Sequence, residues 1–146
     1  MFKQITVFVE NKPGRLAEVT GCLADAQINL HALSIADTSD FGILRLIVSE
    51  ADKTMAILKE KGFMAQTTEV LAIAMSHRPG SLYKILCELE LFDISIEYMY
   101  AFTSRIEDYD AIVIMRLENQ KEAVNKLKDS KIAILGQKLL EDLNRS

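Results

Sequence analysis

Proline is nearly absent from this chain, with two in 146 residues, and cysteine is equally scarce. No basic run occurs, and the formal net charge of −4 with an isoelectric point near 5.2 argues against a nucleic-acid surface, because phosphate binding needs clustered Lys and Arg. No apolar stretch approaches the roughly 18 residues that cross a bilayer. The opening Met1-Phe2-Lys3-Gln4-Ile5 lacks the apolar core of a signal peptide, so the expected location is the cytoplasm, with no membrane partner. Neither Cys22 nor Cys87 stands in a CxxC or Cys/His cluster. Buried free thiols are the expected state, the other readings being a disulfide or a reactive thiol. His31 and His77 have no carboxylate partner at ligand spacing, so neither a metal nor a cofactor is expected.

What the chain does contain is a repeat. Both prolines occupy one hexapeptide frame, Asn11-Lys12-Pro13-Gly14-Arg15-Leu16 and, 66 positions on, His77-Arg78-Pro79-Gly80-Ser81-Leu82. Each frame follows an apolar alternating run and precedes an amphipathic one. That placement reads as strand, tight turn, helix, with Pro fixing φ near the first helical turn and Gly allowing close backbone approach. The chain therefore divides into two units of about 70 residues, expected at 1–69 and 70–146. No Gly/Ser/Pro linker separates them.

Residues 3–10 are β-branched and aromatic enough for a strand. From Gly14 to Ala26 the apolar residues Leu16, Val19, Leu23 and Ala26 recur at helical spacing. Alternation predicts a strand over 28–36, and Ile43–Val48 returns as a hairpin past the turn cluster Asp37-Thr38-Ser39-Asp40. Asp52 is the expected N-cap of a second helix, Gly62 its C-cap, and a short strand closes the unit within 63–69.

The second unit repeats this order. A strand is expected at 70–75, a helix with Leu82, Ile85, Leu86 and Leu89 inward, and strands at 94–102 and 109–117. A helix beginning near Asn119 and a last strand at 131–135 complete it. An amphipathic helix over 136–145 lies outside the repeat. The order βαββαβ specifies an α+β fold of two ferredoxin-like units, each an antiparallel four-stranded sheet with both helices on one face.

In element order, in the strand-then-PGxL turn and in the Ile28-Asn29-Leu30 start of the second strand, the sequence resembles the ACT domain family, as a tandem, two-copy ACT protein. The resemblance covers nearly the whole chain. It implies a small ligand, often an amino acid, held at the interface between ACT-like domains by the turn before the first helix and the start of the second strand. Carried onto this chain, the candidate ligand-binding residues are Asn11, Pro13, Gly14, Arg15, Leu16, Asn29 and Leu30 in the first unit. In the second they are His77, Gly80, Ser81, Leu82, Ser95 and Ile96. Asn11 and Asn29 match the asparagine pair of the family's serine-binding members, whereas His77 and Ser95 depart from it. The Asp common at the family's turn position is absent from both.

The chemistry stands beside the resemblance. Backbone N–H groups at a helix N-terminus attract a carboxylate, and Asn carbonyls accept from an ammonium. Each residue also has a structural reading. Asn11 can bond its own turn backbone, Asn29 can cap a strand, Arg15 can sit solvated at the helix start, and His77 can satisfy the turn.

No catalytic cluster is present: there is no Ser/His/Asp arrangement and no phosphate-cradling Gly-rich loop. The expected function is a non-catalytic, amino-acid-binding regulatory module, a homo-oligomer (dimer) that serves a regulated enzyme. The alternative is a ligand-free scaffold that uses the same interface.

Overall fold

The computed structural model describes residues 1–38, 40–104, 106 and 110–145. The chain divides into two compact units, Lys3–Glu69 and Val70–Ser146 with Met1–Phe2.

In the N-terminal unit, β1 (Phe2–Glu10), α1 (Arg15–Asp25), β2 (Leu30–Asp37), β3 (Phe41–Val48), α2 (Ala51–Glu60) and the first half of β4 (Met64–Met75) follow one another. The strand order is β2-β3-β1-β4, with β3 antiparallel to both β1 and β2. Alternation sends Ile5, Val7 and Val9 of β1 and Leu44, Leu46 and Val48 of β3 to one face, where they pack with Val19 and Leu23 of α1 and Leu58 of α2. Burying each such side chain contributes about 1.5–3 kcal/mol, which is what drives two short helices onto one face of the sheet. On the opposite face of β1, the buried Gln4 amide donates to the Thr6 hydroxyl at 3.0 Å, and the Thr6 and Thr68 hydroxyls lie 3.4 Å apart.

The C-terminal unit takes the rest of β4, then α3 (Ser81–Leu91), β5 (Ile96–Thr103), β6 (Ala111–Leu117), α4 (Gln120–Leu127), β7 (Ile134–Leu135) and α5 (Lys138–Arg145). Here β4 lies between β6 and β7, and β5 borders β6. Leu71, Ile73, Val113, Met115 and Leu117 meet Leu89, Ala123 and Leu127 in a second core. The outlying α5 buries Leu139 and Leu143.

Several boundaries differ from expectation for identifiable reasons. The two strands expected at 63–69 and 70–75 are one strand, Met64–Met75, because no turn residue interrupts the alternation. The strands β2 and β5 begin two residues late because each preceding helix closes first. Gln27 (φ 58°) and Asp93 (φ 54°) are left-handed, and the N–H groups of Ile28 and Ile94 return to the carbonyls of Leu23 and Leu89. No glycine marks either closure.

Asp52 is not the N-cap of α2; it stands in the first turn and pairs with Lys3 at 2.9 Å, while Glu50 occupies the cap. The last strand is two residues long, not five. Both cysteines are free but only half-buried. Tyr109, the expected start of the strand at 109–117, lies outside the described residues.

Candidate functional site

Both Pro-Gly turns adopt one backbone frame. Gly14 (φ 86°) and Gly80 (φ 87°) are the left-handed residues that precede α1 and α3. A Cβ at either would stand in open space, so it is the dihedral and not packing that asks for glycine. Their carbonyls accept the N–H groups of Glu18 and Lys84 at 3.0 and 3.1 Å, which starts each helix. Pro13 and Pro79 precede these caps and so stand just outside the helix, not within its first turn.

The side chains on this shared frame differ. In the N-terminal turn Lys12 pairs with Glu10 at 3.0 Å, and that hydrogen bond with the lysine's charge holds the Glu10 carboxyl below its usual range. Arg15 does not project freely. Its Nη1 donates to Glu18 at 2.6 Å and its guanidinium lies 5.1 Å from the centre of the Phe63 ring, so its charge is committed within the unit. Leu16 is exposed on α1. The amide nitrogen of Asn11 donates to the carboxylate of Asp37, at the far end of β2, at 3.4 Å.

In the C-terminal turn the hydroxyls of Ser76 and Ser81 are 2.6 Å apart. His77, Arg78, Gly80 and Leu82 line a hollow of about 460 Å³ together with Met75 and Tyr83, a volume within the ordinary range for small-ligand pockets.

Asn29 and Leu30 are not beside Asn11. Glu10 pairs with Phe41, whereas Leu30 pairs with Val48 and the Asn29 backbone exchanges hydrogen bonds with Ser49. The seven steps of β3 between those points put the two asparagines at opposite ends of the sheet, about 23 Å apart at roughly 3.3 Å per residue.

The second unit repeats the separation. The Ser95 carbonyl accepts from Glu118 and Ile96 pairs with Leu117, while Thr103, at the His77 end, pairs with Ala111. Ser95 lines a niche of only about 70 Å³ beside Glu118, Glu122 and Lys126. Each unit thus gathers its turn residues at one end and its strand-start residues at the other.

Sequence reasoning misses Asp37, Ser76, Arg78 and Tyr83. Along the chain Asp37 is only one member of a turn cluster. The signal that finds it is register: Asp37 pairs with Gly42, which pairs with Val9, two residues before Asn11. The missing side chain at Gly42 leaves room for Ile35, whose Cδ1 would stand 3.3 Å from a Cβ placed there, beside the ends of β1 and β2.

Edge strand β2 also carries Leu33 and Ile35, 56% and 51% exposed. Among the described residues no three His, Cys, Asp or Glu side chains gather as a metal site, and no helix is long and apolar enough to cross a membrane.

The profile of the ACT domain pair matches residues 1–144. Protein BT0572 from Bacteroides thetaiotaomicron is similar in structure with a TM-score of 0.86 and 41% identity, over 99% of this chain and 96% of that one. The regulatory subunit of aspartate kinase from Thermus thermophilus, in its ligand-free form, shares the fold with a TM-score of 0.61 at 17% identity, over 88% and 91% of the two chains. The corresponding subunit from Thermus flavus does so at 0.57 and 17%, over 86% and 90%. No curated protein matches the chain in sequence.

Proposed function

This chain belongs to the family of ACT domain pairs, and from that premise we propose that it is a non-catalytic regulatory module that binds an amino acid between ACT units. The observation that carries this reading is the repeated turn. In both units a left-handed glycine holds exposed polar side chains at the mouth of a helix, where backbone N–H groups and the helix dipole favour a ligand carboxylate. Asn11 and Asn29, at opposite ends of one sheet, contact the same ligand only if two units lie side by side in opposite senses. A second copy of the chain supplies that partner. The exposed Leu33 and Ile35 on edge strand β2 are the apolar surface that such pairing covers.

Ligand binding then favours one association geometry, and a regulated enzyme reads the change. Calorimetry with the twenty standard amino acids against the wild type and the Asn11→Ala/Asn29→Ala variant tests this. At least one amino acid binds the wild type and the double variant loses it; equal binding to both proteins removes the proposed site.

The ligand-free scaffold is the second reading, favoured by one observation. Leu91, 79% exposed at the end of α3 away from the turn, gives that helix an apolar flank that no ligand site at the turns requires. Sedimentation separates the two: association that no amino acid alters supports the scaffold.

A further inference from the structure

We propose that the Asp37 carboxylate is the ammonium acceptor of the N-terminal turn, so that this turn selects a primary amine over an uncharged analogue of the same shape. The proposal rests on the amino-acid-binding reading above and adds the group that discriminates. Four observations converge on Asp37.

The first is its position. Strand alternation puts Asp37, Gly42 and Val9 on the helix-bearing face, and from β1 the Asn11 amide reaches the Asp37 carboxylate at 3.4 Å, while the Ile35 side chain packs over Gly42. The second is that the hairpin does not use this carboxylate. The Thr38 hydroxyl donates to the Phe41 carbonyl at 2.7 Å and accepts the Phe41 N–H at 3.2 Å, which holds the turn by itself.

The third is charge. The two cations of this turn are already engaged, Lys12 with Glu10 and Arg15 with Glu18, and among the described residues Asp37 has no ion pair. An exposed carboxylate with a single amide donor keeps most of its acceptor capacity. Because the Asn11 nitrogen points at Asp37, its carbonyl oxygen is left as a second acceptor. An ammonium bears three donors, and these two acceptors take two of them.

The fourth is the contrast with the other turn. There His77 and Thr103 hold the positions of Asn11 and Asp37, and Arg78 has no ion pair among the described residues. The selective feature therefore belongs to one turn and not to the shared frame.

The test is calorimetry on the full chain with the twenty standard amino acids, and then with the α-hydroxy acid counterpart of each one that binds, for wild type and Asp37→Asn. Charged hydrogen bonds imply that the wild type prefers the amine by about tenfold to a hundredfold. In Asp37→Asn that preference collapses towards equality, while the ligand-free melting temperature stays where it was because the side chain is exposed. A variant that keeps the preference overturns the role of Asp37 and leaves the amino-acid reading standing. A wild type that binds no amino acid overturns both.

Discussion

The two Pro-Gly turns share a backbone and almost nothing else. The same glycine dihedral and the same carbonyl-to-helix bond occur at Gly14 and Gly80, yet Glu10-Asn11-Lys12 in one turn stands where Ser76-His77-Arg78 stands in the other. The first turn neutralises its cations and leaves a carboxylate, Asp37, exposed. The second links two hydroxyls and leaves Arg78 beside a hollow. The helix flanks diverge in the same way, since Ala17, Gly21 and Asp25 of α1 correspond to Tyr83, Cys87 and Leu91 of α3. On that flank the thiol of Cys87, hydrogen-bonded to Tyr83, pushes the tyrosine hydroxyl above its ordinary range. A duplicated unit thus keeps the residues that set dihedrals and cores, and it is the exposed side chains that specialise.

If the shared frame is equally supported in both units, matched substitutions have matched costs. Leu23 and Leu89 are equivalent core positions, each 1% exposed. Leu23→Ala and Leu89→Ala should each cost about 2–5 kcal/mol in urea unfolding. A large loss at one and none at the other breaks the equivalence of the units. Gly14→Ala and Gly80→Ala should cost less, about 1–2 kcal/mol each, since a Cβ meets no neighbour and only the left-handed conformation opposes it. Unequal losses here would mean that one turn relaxes out of its frame.

The parts of this fold governed by periodicity are legible in the order of residues alone. The stripe Val19, Leu23 and its echo Ile85, Leu89 have only one helical face to occupy, although Leu16 at the head of the first stripe stays exposed, and the strand alternations have only two faces. What is not legible depends on residues meeting across the sheet. Asp37 and Asn11 are 26 positions apart, and only the register through Gly42 makes them neighbours. Asn11 and Asn29, by contrast, are suggested as a pair by the resemblance, yet they lie at opposite ends because α1 runs the length of the unit between them. The helix closures at Gln27 and Asp93 are hidden for a local reason: left-handed residues are recognised by glycine or asparagine, and neither is present.

A smaller effect separates the turns by how they are anchored. Arg15→Ala removes both the Glu18 ion pair and the packing on Phe63, and should cost about 1 kcal/mol. Ser81 takes the same place in α3, and among the described residues its side chain is held by the hydroxyl contact with Ser76. Thermal melts of Arg15→Ala and Ser81→Ala should therefore differ, with the arginine variant the less stable. Equal melts would mean that the charge and ring contacts of Arg15 add nothing to the anchoring of the turn.

The smallest effect is electrostatic and confined to the first turn. Glu10 is held below its ordinary carboxylate range chiefly by the hydrogen bond and charge of Lys12. A depressed folded-state value means that the pair's contribution to stability is present above the unfolded carboxylate value and is lost as the pH falls through the folded one. Lys12→Ala should return the Glu10 titration, followed by carbon-detected NMR, towards its ordinary position, and should flatten any stability difference from wild type in that acidic window. The second turn supplies the control, because Ser76 stands in place of Glu10 and has no proton to lose there. Arg78→Ala should therefore leave acid stability unchanged. If it shifts acid stability as much as Lys12→Ala does, Arg78 has an acidic partner and the two turns are electrostatically alike after all.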